Sequence, residues 1–368
     1  MRRTAEAVGI LAMFGGLWPA AVLGVSSPRL VADLATVPSP HTGSAPAEFV
    51  RIGPQVLFTA QPDDHARRLF RTDGTSAGTQ ELAAGCAPLE TGGFVLRFAT
   101  NSAAFYSLQC GASGQALWAS DGTISGTREL LGFGSYHGPG AALGGSAAVE
   151  DGAAAFFLQG GNYDVPLELW RTDGTRQGTE RLASLSNSYN ANGGLHGQST
   201  GDLLLLVAEN FGAITVWKSD GSSAGTLRVR TLEFPDQYSN LRSFASTATG
   251  IAFTVSISSP SRVELWYSDG TLDGTLLGAE LPFDAHDSLV AHAGAVFFLV
   301  EEDGVGWIWR GDGSAASTRA LAPLGSMQVR SESFEFVGDW LYFVGCNEER
   351  TSCELRRAPL GGGAPERV

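Results

Sequence analysis

One phrase, returning six times at a nearly fixed interval, constrains this 368-residue chain more than any other feature. An apolar pair precedes Ser/Thr-Asp-Gly-Thr/Ser, two free positions follow, and Gly-Thr closes the phrase. The copies are Leu69-Phe70-Arg71-Thr72-Asp73-Gly74-Thr75, Leu117-Trp118-Ala119-Ser120-Asp121-Gly122-Thr123, Leu169-Trp170-Arg171-Thr172-Asp173-Gly174-Thr175, Val216-Trp217-Lys218-Ser219-Asp220-Gly221-Ser222, Leu265-Trp266-Tyr267-Ser268-Asp269-Gly270-Thr271 and Ile308-Trp309-Arg310-Gly311-Asp312-Gly313-Ser314. Their aspartates lie 48, 52, 47, 49 and 43 residues apart. Such a period marks a repeat architecture, in which each unit stacks on its neighbours.

Upstream of each phrase lies an apolar run without helical period, at residues 55–60, 103–108, 153–158, 203–208, 251–257 and 295–300, with a seventh at 340–344. Such runs predict strands buried on both faces. Shorter strands are expected ahead of them at 49–52, 94–98, 147–150, 241–245, 288–291 and 334–337, with a weak counterpart at 195–200. Each unit then reads as strands a and b, strand c with the Leu-Trp pair, the Asp-Gly turn and strand d. Four strands per unit predict an all-β fold, a seven-bladed β-propeller of four-stranded antiparallel blades. The seventh unit carries Glu354-Leu355-Arg356-Arg357 where the phrase belongs and has no Asp-Gly turn. Leu30-Val31-Ala32-Asp33-Leu34 reads as an unpaired strand, so the ring is expected to be closed by this N-terminal strand. An open solenoid is the architectural alternative.

The turn has a physical reason to recur. Aspartate accepts from backbone N–H groups, the first glycine takes positive φ, the Thr/Ser bonds within the turn, and the second glycine is expected to permit a further bend. A calcium ligand at each aspartate is the alternative, but the alternating oxygens of a dedicated calcium loop are missing from the sequence. At Glu168-Leu169-Trp170-Arg171-Thr172-Asp173-Gly174-Thr175, and again from Glu264 to Thr271, the chain resembles the exported bacterial ELWxxDGT repeat proteins. The resemblance covers nearly the whole chain and implies little about activity. The turn is similar in placement to the Asp-box of sialidase-type propellers, which implies a structural role away from any active face. Phe70, Gly311, Ser317 and the seventh unit depart from the pattern. Trp118, Trp170, Trp217, Trp266 and Trp309 are expected to fill wedges between blades, with their N–H groups on backbone acceptors.

Arg2 and Arg3 ahead of an apolar stretch broken by Gly15, Gly16 and Pro19 read as a secretory signal over residues 1–24, leaving 25–368 as a single propeller domain of about seven repeats with no membrane span. The net charge of −14 disfavours nucleic acid, whose affinity comes from cations on phosphates. Lys218 is the only lysine, a bias read as compositional. In an exported chain four cysteines make two disulfides. Strand parity brings Cys86 beside Cys110 and Cys346 beside Cys353, so these pairs are expected.

The same parity puts every b–c and d–a connection on one rim, and these are the connections that vary. There stand Asp63, Asp64 and His65, Tyr136 and His137, Tyr163 and Asp164, Tyr189 and Asn190, Asp236 and Tyr238, and Asp284, His286 and Asp287. Two carboxylates and an imidazole within 284–287 could hold a metal or act as acid and base, but no second cluster with ligand spacing accompanies them. Gly197-Gln198-Ser199-Thr200-Gly201 matches a nucleophile elbow in letters only, because no helix follows it. No cofactor fingerprint is present. Three functions remain. The leading one is a binding module engaging an extracellular protein or glycan through the variable rim. The others are a hydrolase or lyase acting on an extracellular polysaccharide, and a structural envelope or matrix component.

Overall fold

The computed structural model describes residues 44–62, 66–83, 92–110, 115–133, 142–149, 153–159, 167–186, 192–197, 203–209, 212–234, 239–258, 261–281, 289–302 and 304–368. Among them the strands form seven antiparallel sheets, each built from consecutive segments. The first contains β1 (Ala47–Ile52), β2 (Gln55–Ala60), β3 (Arg68–Thr72) and β4 (Gln80–Ala83); the second contains β5 (Gly92–Ala99), β6 (Ala104–Cys110), β7 (Gln115–Ser120) and β8 (Arg128–Gly132). The third contains β9 (Ala142–Ala148), β10 (Ala154–Gln159), β11 (Leu167–Thr172) and β12 (Glu180–Ser186). The fourth contains β13 (Asn192–Gly197), β14 (Leu203–Glu209), β15 (Ala213–Ser219) and β16 (Leu227–Glu233). The fifth contains β17 (Ser239–Ser246), β18 (Ile251–Ser258), β19 (Ser261–Ser268) and β20 (Leu276–Leu281). The sixth contains β21 (Val290–His292), β22 (Ala295–Glu302), β23 (Val305–Gly311) and β24 (Arg319–Gly325). In the seventh, β25 (Gln328–Val329) and β26 (Glu335–Val337) both pair with β27 (Trp340–Cys346), followed by β28 (Cys353–Pro359) and β29 (Glu366–Arg367).

Residues 30–34, the expected closing strand, lie outside the described residues; among the described residues the outer position of the seventh sheet is taken by β29, which pairs Arg367 with Arg356 and Glu366 with Arg357. The seventh unit therefore completes itself with a two-residue strand of charged side chains, a segment too short and too polar to register as a strand in sequence. An Arg357–Glu366 ion pair fastens it.

Neighbouring sheets meet through their first strands, β1 beside β5, β5 beside β9, β9 beside β13, β13 beside β17 and β17 beside β21. In the first six sheets the first strand is thus the inner one and the fourth the outer one, a point that the sequence leaves open. The second strands are apolar because both their faces are covered: seven of the eight residues of β18 are buried.

The core lies between the sheets. Leu57, Leu69 and Leu82 of the first sheet pack with Phe94, Ala104 and Tyr106 of the second, and Trp118 lies against them. Trp170 joins the cluster of the second sheet, Trp217 that of the third, Trp266 that of the fourth and Trp309 that of the fifth, so each indole packs backward on the preceding sheet. Burying one such large apolar side chain stabilises by about 1.5–3 kcal/mol.

A bulge recurs between third and fourth strands. In the first six sheets the fourth strand inserts one extra residue opposite the Leu-Trp or Leu-Phe pair, namely Leu82, Leu130, Leu182, Val229, Gly278 and Leu321. Four of these are leucines less than 7% exposed, so the bulge delivers one more apolar side chain to the core.

Candidate binding surface

Antiparallel order separates two rims. The a–b turns and the Asp-Gly turns occupy one, and the b–c and d–a connections occupy the other.

The first rim is built from the repeated phrase. In the first turn Asp73 Oδ1 accepts from the Thr75 backbone N–H at 2.9 Å and from its hydroxyl at 2.7 Å. Thr72 Oγ1 accepts from Gly74 N–H and pairs with Thr79 Oγ1 at 2.7 Å, while Thr79 donates to Thr75 O. The same bonds form around Asp121, Asp173, Asp220 and Asp269, where the aspartate-to-backbone distances are 2.8, 2.7, 2.8 and 2.8 Å. These donors hold the carboxyls of Asp73 and Asp220 below their ordinary value. At Asp173 partial burial pushes the other way, and the two bonds from Thr175 outweigh it. In these five turns the aspartate carboxylate bonds within its own turn. No group of three or more His, Cys, Asp or Glu among the described residues could hold a metal ion.

The two glycines serve different purposes. Gly74, Gly122, Gly174, Gly221 and Gly270 have φ between 84° and 89°, which a side chain would strain. The second glycine is not there to bend the chain, contrary to expectation. A Cβ at Gly78, Gly126, Gly225 or Gly274 would lie 2.0 Å from the aspartate Oδ1, so its absence makes room for the carboxylate.

The sixth turn supports this account. Ser317 stands where the second glycine belongs, and its Oγ accepts from the N–H groups of Asp312 and Ser314, in place of an aspartate oxygen. Gly311 stands where the pairing Ser/Thr belongs, and the hydroxyl of Tyr267, reaching over from the fifth sheet, bonds Thr318 Oγ1 at 2.8 Å instead. A Cβ at Gly311 would lie 2.0 Å from Tyr267 Oη, and one at Gly278 would lie 2.3 Å from Tyr267 Cε2. Tyr267 thus fills both gaps. Burial raises its pKa, which keeps the phenol protonated.

Adjacent sheets are clamped along this rim. Arg71 donates to Gly122 O at 2.9 Å, Arg128 to Gly174 O at 2.8 Å and Arg230 to Thr275 O at 2.5 Å, each reaching from one sheet to the Asp-Gly turn of the next. The arginine bias therefore has a structural use that composition alone does not reveal.

Glutamate at the head of the phrase also has a partner. Glu168 Oε2 accepts from Trp170 Nε1 at 2.9 Å while Arg181 pairs with its other oxygen at 2.7 Å, and Glu264 repeats this with Trp266 and Arg262. The indole N–H groups expected on backbone acceptors are on these side chains instead. Where the glutamate is missing, the buried Nε1 atoms of Trp118, Trp217 and Trp309 have no hydrogen-bond partner among the described residues.

The second rim holds the variable connections. Asp63, Asp64, His65, Tyr136, His137, Tyr163, Asp164, Tyr189, Asn190, Asp236, Tyr238, Asp284, His286 and Asp287 all lie outside the described residues. So does Cys86, and with it the Cys86–Cys110 pairing. The Cys346–Cys353 disulfide forms as expected and closes the b–c connection of the seventh sheet. Inside that ring the Asn347 side chain accepts from the N–H groups of Thr351 and Ser352 and donates to Thr351 Oγ1. The loop so fixed borders a cleft of about 620 Å³ with Ser326, Glu348, Glu349, Glu354 and Arg356 on its walls. Arg356 and Arg367 both pair with Glu354, at 3.2 and 3.4 Å. Among the described residues this cleft lies on the variable rim, beside the disulfide-closed loop. Two cysteines bracketing Asn-Glu-Glu were its signal in sequence.

No family model matches the chain, and no curated protein does either. Among solved structures it is similar to dipeptidyl peptidase 4 of Porphyromonas gingivalis, at 10% identity and a TM-score of 0.55, covering 89% of this chain and 52% of that one. It is also similar to one of two prolyl endopeptidases, at 9% identity and a TM-score of 0.47, covering 88% and 49%. A third is the β-propeller domain of the Trilobed protease from Pyrococcus furiosus, described as having an open velcro topology, at 11% identity and a TM-score of 0.38, covering 88% and 95%. The chain spans about half the length of the first two. The fold is all-β and of β-propeller type. No helix among the described residues is long and apolar enough to cross a membrane.

Proposed function

We propose that the protein is an exported, seven-bladed propeller of the ELWxxDGT repeat kind, acting as a binding module for an extracellular protein or glycan through its variable rim. The asymmetry of the two rims carries this reading. One rim spends its polar groups on itself, in Asp-Gly turns and arginine clamps. The other carries the connections of varied length and the cleft beside the Cys346–Cys353 ring. Rigid scaffold below and variable loops above is where recognition concentrates.

The test is a glycan-array and surface-protein binding screen of the exported chain. It is run beside two variants, Glu348→Ser/Glu349→Ser and one with residues 282–288 replaced by a Gly-Ser turn. Binding lost in either variant supports the reading. Turnover of a polysaccharide, or binding that neither change affects, refutes it. Closure, which would make the first and seventh sheets neighbours, is tested separately with Phe49→Cys/Leu355→Cys, exposed residues of those two sheets. A short bifunctional thiol reagent should link them within one chain, and no link means an open array.

A further inference from the structure

We propose that the outer edge of β16 is a second recognition site, independent of the variable rim, which takes an extended acidic peptide as an added strand. Among the described residues β16 pairs only with β15, so no described strand pairs with its outward N–H and C=O groups. Beside it runs a groove of about 610 Å³ lined by Arg228, Val229, Arg230, Thr231, Leu272 and Asp273. One wall is thus the strand edge and the other the fifth Asp-Gly turn. Leu272 at the tip of that turn is 60% exposed and Leu227 at the start of β16 is 50% exposed, which gives alternate side chains of an added strand apolar ground.

Charge selects the occupant. The chain as a whole carries −14, yet this edge presents two arginines against the single lining carboxylate of Asp273, with Glu233 at the far end of the strand. The outer strands of the other five Asp-Gly sheets carry one arginine or none. Arg228 is set in advance at 5.3 Å over the ring of Trp217; Arg230, 5.8 Å over that of Trp266, is held by its bond to Thr275 O and adds only its charge to the groove. No carboxylate among the described residues pairs with Arg228, so its charge is free for a ligand. A pre-set arginine beside a strand edge recognises carboxylates that alternate with backbone hydrogen bonds. A polyanionic glycan could meet the charges but has no ladder to match the edge. On β24, by contrast, Pro323 interrupts the equivalent edge.

The experiment uses the full chain and two dye-labelled probes, acetyl-(Glu-Val)3-amide and the same hexapeptide N-methylated at alternate residues, read by fluorescence anisotropy. Saturable binding of the first probe is expected, weakened at least about tenfold by N-methylation, by Arg228→Glu and by Leu272→Asp. Arg228 packs over the Trp217 indole and Leu272 sits exposed on a turn tip, so one variant serves if the other fails to fold. Equal binding of both probes, or displacement of the first by dextran sulfate with no effect of N-methylation, overturns the added strand in favour of a charge-only site. Absence of binding up to about 1 mM overturns the proposal outright. Neither result bears on the cleft of the seventh sheet.

Discussion

Gly311→Ala is a conservative change that should destabilise this protein, and Tyr267→Phe should cure most of the damage. No positive φ is at stake at Gly311, so the effect is steric. A new Cβ would meet Tyr267 Oη at 2.0 Å, Thr318 Oγ1 at 3.0 Å and Tyr267 Cζ at 3.3 Å. The phenol cannot back away, because its ring is 2% exposed and already presses on Gly278. Overpacking of this kind costs about 1–3 kcal/mol. Tyr267→Phe alone removes the hydroxyl's bond to Thr318 Oγ1, while Thr318 keeps its bond to Ser314 O, so it costs about 1 kcal/mol. In the double variant the methyl occupies the space of the lost hydroxyl, and the nearest atoms lie at 3.0 and 3.3 Å, within reach of a shift of a few tenths of an ångström. The double variant should therefore be more stable than the sum of the singles by about 1–2 kcal/mol. Urea unfolding of the four proteins, followed by tryptophan fluorescence, gives the coupling. Additivity within about 0.5 kcal/mol would refute the reasoning, as would a harmless Gly311→Ala.

Glu168→Leu should cost about 1–3 kcal/mol, because it removes the buried acceptor of the Trp170 N–H and the carboxylate paired with Arg181; Glu168→Gln, which keeps an acceptor, should recover much of the loss in the same urea assay. The lowered carboxyls of Asp73 and Asp220 make the unfolded chain the first to bind protons as pH falls, so their contribution is fully present above the ordinary value of 3.8 and is lost on acidification through the folded values. Urea midpoints between pH 2 and 5 should accordingly depend less on pH in Asp73→Asn/Asp220→Asn than in the parent. Cys346→Ser/Cys353→Ser, which opens a ring of sequence separation 7, should cost about 2–3 kcal/mol on the loop-entropy scale. It should also increase amide exchange at residues 347–352, and unchanged exchange there would show that Asn347 alone holds the loop.

The period, the apolar second strands and the Asp-Gly turns were legible because each is specified within one unit. Third strands were legible for the same reason, through the Leu-Trp pair. Longer-range pairings were not. Tyr267 and Thr318 stand 51 residues apart, and nothing in either unit by itself announces that one hydroxyl replaces another. The recurrence of Gly78 and its counterparts was visible, but a sequence does not distinguish a glycine needed for positive φ from one needed for space, and here space decides. The first strand of the third sheet begins at Ala142, ahead of the expected 147, because Gly144 and Gly145 hide it from a pattern of apolar side chains. Of the candidate site, the Cys346–Cys353 ring followed from strand parity. The cleft beside it did not, since it needs Ser326 and Arg356 brought together by the fold.

Five of the six turns are chemically interchangeable, and a chain of interchangeable parts risks docking a sheet on the wrong neighbour while it folds. The trio of Tyr267, Gly278 and Gly311 breaks that degeneracy. Set against any other turn, the phenol would collide with the Ser or Thr that Gly311 replaces, and without the phenol the sixth turn would lack a hydroxyl for Thr318. One idiosyncratic side chain thereby gives two adjacent units an address, and fixes their order in an otherwise repetitive assembly.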